Sequence, residues 1–205
     1  MNKRNLFSIL SFLGLFFIIY SVMNISKDMT SGDEVIENYI EVPSGFKRQF
    51  SRVTTKRRYK DLPVATFLSP EGKRYNWQTV SGDYKLINFW ASWCAPCVLE
   101  LPSLEKLAKR YKGKGLDVIP ISIDTRYSHE QIKRFLDNRG ISDFAAYYDD
   151  SGEIQQAIRI AGLPTSYLLD PKGRITHIFE GDANWVSTPS IQFFDQVLGF
   201  GEKNE

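Results

Sequence analysis

The chain has 205 residues, 42% of them hydrophobic, with 26 basic and 24 acidic side chains and a formal net charge of +2. That length holds one domain with a full core plus extra sequence at an end, and the near-neutral balance excludes broad nucleic-acid binding, which needs a surplus of clustered cations. Two cysteines, with His129 and His177 far from them in sequence, exclude a disulfide scaffold and a four-thiolate zinc site; no metal is expected, and one reversible disulfide is the economical use of the thiols.

In chain order, Lys3 and Arg4 precede a charge-free stretch whose apolar core is rich in Leu, Ile and Phe. About 20 such residues cross a bilayer as a helix. Residues 6–26 are therefore expected to form a transmembrane anchor rather than a cleaved signal peptide, since the stretch is long and no small-x-small cleavage pattern follows. Positive charge before the span and acidic residues after it place 1–5 in the cytoplasm and the remainder outside. Residues 27–60 lack sustained periodicity and carry a basic cluster (Lys47, Arg48, Arg52, Lys56, Arg57, Arg58 and Lys60), which reads as a solvated linker.

A globular pattern is expected over 61–200, with a five-residue tail at 201–205. It begins with a β-hairpin made of 62–68, the turn Pro70-Glu71-Gly72 and 75–80. A buried strand at 86–90 follows, then a helix to about Tyr111 ended by Gly113 and Gly115, and a strand at 116–123 with Asp124 at its end. Further on come a helix at 128–138, an edge strand at 144–148, a short helix at 154–160, a hairpin of 166–170 and 174–180, and a closing helix at 189–198. This order predicts an α/β sandwich with a mixed central sheet flanked by helices. His129 and His177 are expected at surface or helix-cap positions.

The chemistry concentrates at Trp93-Cys94-Ala95-Pro96-Cys97, where strand gives way to helix. Thiol exchange needs one accessible thiolate to attack and a second thiol close enough to resolve the mixed disulfide. At a helix N-terminus, unpaired N–H groups and the helix dipole favour a Cys94 anion, while Cys97, one turn later, is placed to resolve. Pro96 fixes a backbone angle where its missing N–H costs little.

These residues resemble the thioredoxin superfamily and, within it, the membrane-anchored TlpA-like thiol-disulfide reductases. The resemblance rests on Trp93 to Cys97, on Phe89-Trp90-Ala91 before them, on Glu100-Leu101-Pro102 after them, and on Gly162-Leu163-Pro164-Thr165. It implies a thioredoxin-like fold over 62–198, a cis Pro164 facing the disulfide, and a Leu163 backbone that pairs with a bound substrate chain. Trp93 then belongs to the docking surface, alongside Ala95 and Pro96. Asn88 departs from the Asp of cytosolic thioredoxins, and a neutral amide cannot take the resolving thiol's proton. Glu100 is the candidate modulator of the sulfurs, against a plain role in stabilising the first turns of its helix. The run from Gly181 to Trp185 resembles the TlpA branch.

Three functions are weighed. The resemblance implies an extracytoplasmic reductase on the bacterial inner membrane, with no cofactor beyond the Cys94-Cys97 disulfide. Its substrates would be a copper chaperone, an oxidase copper subunit or apocytochrome c, and a transmembrane thiol reductant of the DsbD or CcdA type would recharge it. A general disulfide oxidase or isomerase would carry a helical insertion or dimerisation module, for which the chain has little room. A non-enzymatic copper metallochaperone would want a further soft ligand beside the thiols.

Overall fold

The computed structural model describes residues 39–56, 62–79, 84–141, 147–158 and 160–200. The expected anchor at 6–26 lies outside the described residues. Among the described residues, no helix is long and apolar enough to cross a membrane.

The sheet is organised by β4, whose partners lie on both sides. The elements are α1 (Ser44–Lys47), β1 (Arg52–Thr55), β2 (Phe67–Leu68), β3 (Arg74–Tyr75), β4 (Tyr84–Trp90) and α2 (Ala95–Tyr111). They continue with β5 (Leu116–Ser122), α3 (His129–Asp137), β6 (Tyr147–Tyr148), α4 (Glu153–Ala157), β7 (Thr165–Leu169), β8 (Ile175–Glu180) and α5 (Thr188–Val197). Their strands form one mixed sheet in the order β1-β8-β7-β4-β5-β6-β2-β3. Strand β4 runs parallel to β5 and antiparallel to β7, with Asn88 opposite Pro120 on one side and Ser166 on the other. A parallel pair needs a long crossover, and α2 supplies it.

Alternation along β4 divides the core in two. Leu86 and Trp90 join a cluster with Leu101, Leu104 and Leu107 of α2 and Phe193 and Phe194 of α5. Ile87 and Phe89 join the other, with Phe67, Trp77, Ile121 and Ile154. Asn88 shares the face of Leu86 and Trp90, so its side chain is turned toward α2.

The segment expected to be a linker is corrected over 39–56. Strand β1 pairs antiparallel with β8, Arg52 opposite Glu180. The rings of Phe46 and Phe50 enter the core, meeting each other at 5.0 Å and Trp185 at 5.7 and 5.4 Å. Aromatic burial outweighs the basic side chains because Lys47, Arg48 and Arg52 are exposed while two phenyl rings supply the apolar contact. Gly181 permits the close approach. Its φ is +102°, and a Cβ there would stand 3.1 Å from the Ser51 nitrogen.

Other boundaries move for local reasons. The second arm of the first hairpin is only β3, because the Asn76 carboxamide accepts from Gln78 and Thr79 N–H groups and turns the chain. Strand β6 is internal, since β2 pairs with it at Leu68 and Tyr148, so the hairpin extends the central sheet. His177 is buried, not superficial. It stacks on Phe179, lies within 2.8 Å of the Ile40 carbonyl, and has its pKa lowered by burial to about 4. His129 opens α3 and stacks on Tyr148.

Truncating Phe46 to Ala should destabilise the fold by about 3–5 kcal/mol. Urea unfolding checks it, and a loss under about 1 kcal/mol would mean that 39–56 does not belong to the cooperative core.

Candidate active site

The β4–α2 corner fixes both sulfurs. Cys94 is the N-cap of α2 and its sulfur accepts a hydrogen bond from the Cys97 N–H at 3.3 Å. Pro96 occupies the first turn, as its fixed φ and missing N–H allow. Cys94 and Cys97 are joined as a disulfide with their Cα atoms 5.3 Å apart. Cys94 keeps 6% of its surface exposed and Cys97 none. The pair is therefore asymmetric: both are buried, but Cys94 retains a small exposed area and Cys97 is sealed behind it.

Cys94 borders a groove of about 600 Å³ lined also by Trp93, Ala95, Pro96, Ile160 and Leu163. Trp93 is half exposed, and the Arg126 guanidinium stands 6.0 Å from its ring centre. The Leu163–Pro164 peptide bond is cis, and the Pro164 carbonyl accepts from the Gly181 N–H at 3.0 Å. The structure thus gathers Trp93, Cys94, Ala95, Pro96 and Leu163 around one opening, with Cys97 behind them.

Glu100 lies elsewhere, buried beneath the helix. One carboxylate oxygen accepts from the Asn88 amide at 2.8 Å; the other accepts from the Trp185 indole at 2.7 Å and the Ala183 N–H at 3.1 Å. Desolvation pushes its pKa up to about 7 although these three donors pull it down. The same Asn88 amide donates to the Ser166 hydroxyl at 2.9 Å. So Asn88 does not stand in for a proton acceptor: it donates to the Glu100 carboxylate and joins α2 to β7. Trp185 is a core residue with its N–H committed to Glu100.

Sequence reasoning missed Ser92, Asp124, Arg126 and Ser166. Asp124 carried a usable signal, because ligands of α/β sheets gather beyond the carboxyl ends of the strands, where it stands next to the strand that leads into Cys94. Arg126 had none, since the loop that brings it over Trp93 is a tertiary feature.

The family model for Redoxin matches residues 59–192. The chain belongs to the Redoxin family. With its paired cysteines at the helix start, this redoxin is a thiol-disulfide oxidoreductase of the thioredoxin superfamily. It is 28% identical over 137 residues to the thiol-disulfide oxidoreductase ResA of Bacillus cereus, covering 67% of this chain and 78% of that one. Against ResA of Oceanobacillus iheyensis it is 32% identical over 102 residues, spanning 50% of this chain and about half, 52%, of that relative. In fold it resembles a thiol:disulfide interchange protein from Bacteroides sp., with a TM-score of 0.59 and 22% identity over 71% of this chain and 92% of the other.

The buried carboxyl gives a pH dependence with a definite sign. Glu100 binds its proton more tightly folded than unfolded, so stability falls as pH rises from about 4.5, its ordinary value, to about 7 and is level above that. The change is about 3 kcal/mol. Glu100→Gln should flatten it; urea unfolding of both proteins between pH 4.5 and 8 is the check, and equal slopes would contradict the buried-acid assignment.

Proposed function

We propose that this redoxin is a membrane-anchored, extracytoplasmic reductase of protein disulfides, working through Cys94 and Cys97 without a further cofactor. The observation that carries the exchange chemistry is the asymmetry of the pair: Cys94 lies at the mouth of a groove and Cys97 is sealed behind it. In the reduced enzyme the Cys94 thiolate attacks a substrate disulfide, forming a mixed disulfide and releasing one substrate thiolate, which takes a proton. Cys97 then gives up its proton and attacks the Cys94 sulfur. The second substrate thiol leaves, two electrons have passed to the substrate, and the enzyme holds its own disulfide. Glu100, three residues after Cys97 with a pKa of about 7, is the proton acceptor suited to that second step at neutral pH.

Direction and place are supported by other features. The TlpA-like motifs favour reduction, and the apolar stretch at 6–26 behind Lys3 and Arg4 favours a single-pass anchor with the enzyme on the periplasmic side of the inner membrane. There it would reduce cysteines of a copper chaperone, an oxidase copper subunit or apocytochrome c, recharged by a DsbD- or CcdA-type thiol transporter.

A Cys97→Ser variant expressed in its native membrane should accumulate mixed disulfides through Cys94, and mass spectrometry identifies the partners. Adducts with copper-site proteins or apocytochrome c support the reading, whereas a broad set of secreted proteins would indicate general disulfide exchange instead. Cys94→Ser should abolish disulfide reduction; a wild-type rate from that variant overturns the assignment.

A further inference from the structure

Asp124, at the carboxyl end of β5, is 1% exposed and belongs to neither the disulfide nor the Glu100 network. Its carboxylate takes four hydrogen bonds from two loops. Oδ2 accepts from the Ser92 N–H at 2.8 Å and from the Ser92 hydroxyl; Oδ1 accepts from the N–H groups of Arg126 at 2.8 Å and Tyr127 at 3.2 Å. Burial pushes this carboxyl up, but the donors from Ser92, Arg126 and Tyr127 together hold its pKa below the usual value, so it is an anion at neutral pH. From the far side, the Tyr148 hydroxyl lies 3.1 Å from the Asp124 carbonyl and 2.8 Å from that of Tyr127.

One of the two loops it joins lines the groove through Trp93, and the other follows directly on Ile123, which lines it too. Ser92 immediately precedes Trp93, and Arg126 is the residue whose guanidinium stands over the Trp93 ring. Both side chains are exposed, so nothing in the core holds them against each other; their backbones meet through Asp124. We propose that Asp124 is a positioning residue of the redoxin site, clamping the loop at 91–94 to the loop at 124–128 so that Trp93 and Arg126 stand as a pre-set wall against which a polypeptide substrate docks. This rests on reading the groove beside Cys94 as the docking site. The carboxylate is specific to the task. An Asn would face its NH2 toward at least one backbone N–H donor whichever way it turned, that of Ser92 or those of Arg126 and Tyr127, and would weaken the hold on one loop.

A clamp of this kind lowers the cost of ordering two side chains on binding, so its loss weakens docking more than chemistry. The test is single-turnover reduction of insulin by the pre-reduced full chain across insulin concentrations. Asp124→Asn should raise the half-saturating concentration about tenfold with the limiting rate within about twofold, and Ser92→Ala, which keeps the backbone donor, about threefold. In a Trp93→Ala background, Asp124→Asn should add less than about twofold, because it acts through Trp93. Unchanged half-saturation in Asp124→Asn overturns the clamp, as does an effect that multiplies independently of Trp93→Ala or one confined to the limiting rate. If Asp124→Asn does not fold, Ser92→Ala decides, and an unchanged half-saturation there overturns it equally. Failure of the wild-type chain to reduce insulin would instead count against the exchange reading.

Discussion

The first turn of α2 sets what the two sulfurs can do. Cys94 caps the helix and Cys97 follows one turn later, so the same backbone that starts the helix puts one sulfur at the groove and the other inside the core. Everything around the corner holds that turn still. Strand β4 feeds it from the centre of the sheet, and β5 and β7 flank β4. Pairing of β4 on both sides anchors the start of the turn, while the exposed Trp93 beyond it has no core partner of its own among the described residues.

Beneath the helix, Glu100 joins three parts of the chain that are distant in sequence. Its donors come from Asn88 on β4, from Ala183 and from Trp185. Burying a carboxyl is unfavourable unless its oxygens are occupied, and here the three donors lessen the penalty without removing it. The residual strain is expressed as a raised pKa, which is also the property a proton acceptor needs near neutral pH. Structural anchoring and the proposed proton transfer are thus compatible for this residue, since the same burial anchors the helix and raises the pKa. A second carboxylate, Asp124, is the counterpart at the rim, where four donors outweigh desolvation and keep the charge.

Much of this was legible in the sequence because the signals were local. Strand periodicity at 86–90, the glycine terminators after Tyr111 and the cysteine spacing each depend on neighbouring residues, and each matched its element. The failures were of another kind. Residues 39–56 carry a basic cluster that resembles a solvated tether, and only the tertiary arrangement of Phe179, Trp185, Phe193 and Phe194 shows that Phe46 and Phe50 have a place to be buried. His177 was misplaced for the same reason, its ring lying between aromatic neighbours contributed by β8 and α5. Asn88 was seen as a departure from an acidic residue, yet its role as a donor to Glu100 needed the register that sets β4 beneath α2.

The unequal access of the two sulfurs is tested most directly by brief iodoacetamide alkylation of the reduced full chain, with the modified cysteine located by mass spectrometry. Cys94 should carry nearly all of the early modification, and Cys97 should react only on unfolding. Equal labelling, or Cys97 reacting first, would contradict the assignment of Cys94 as the attacking thiol and of Cys97 as the sealed partner behind it.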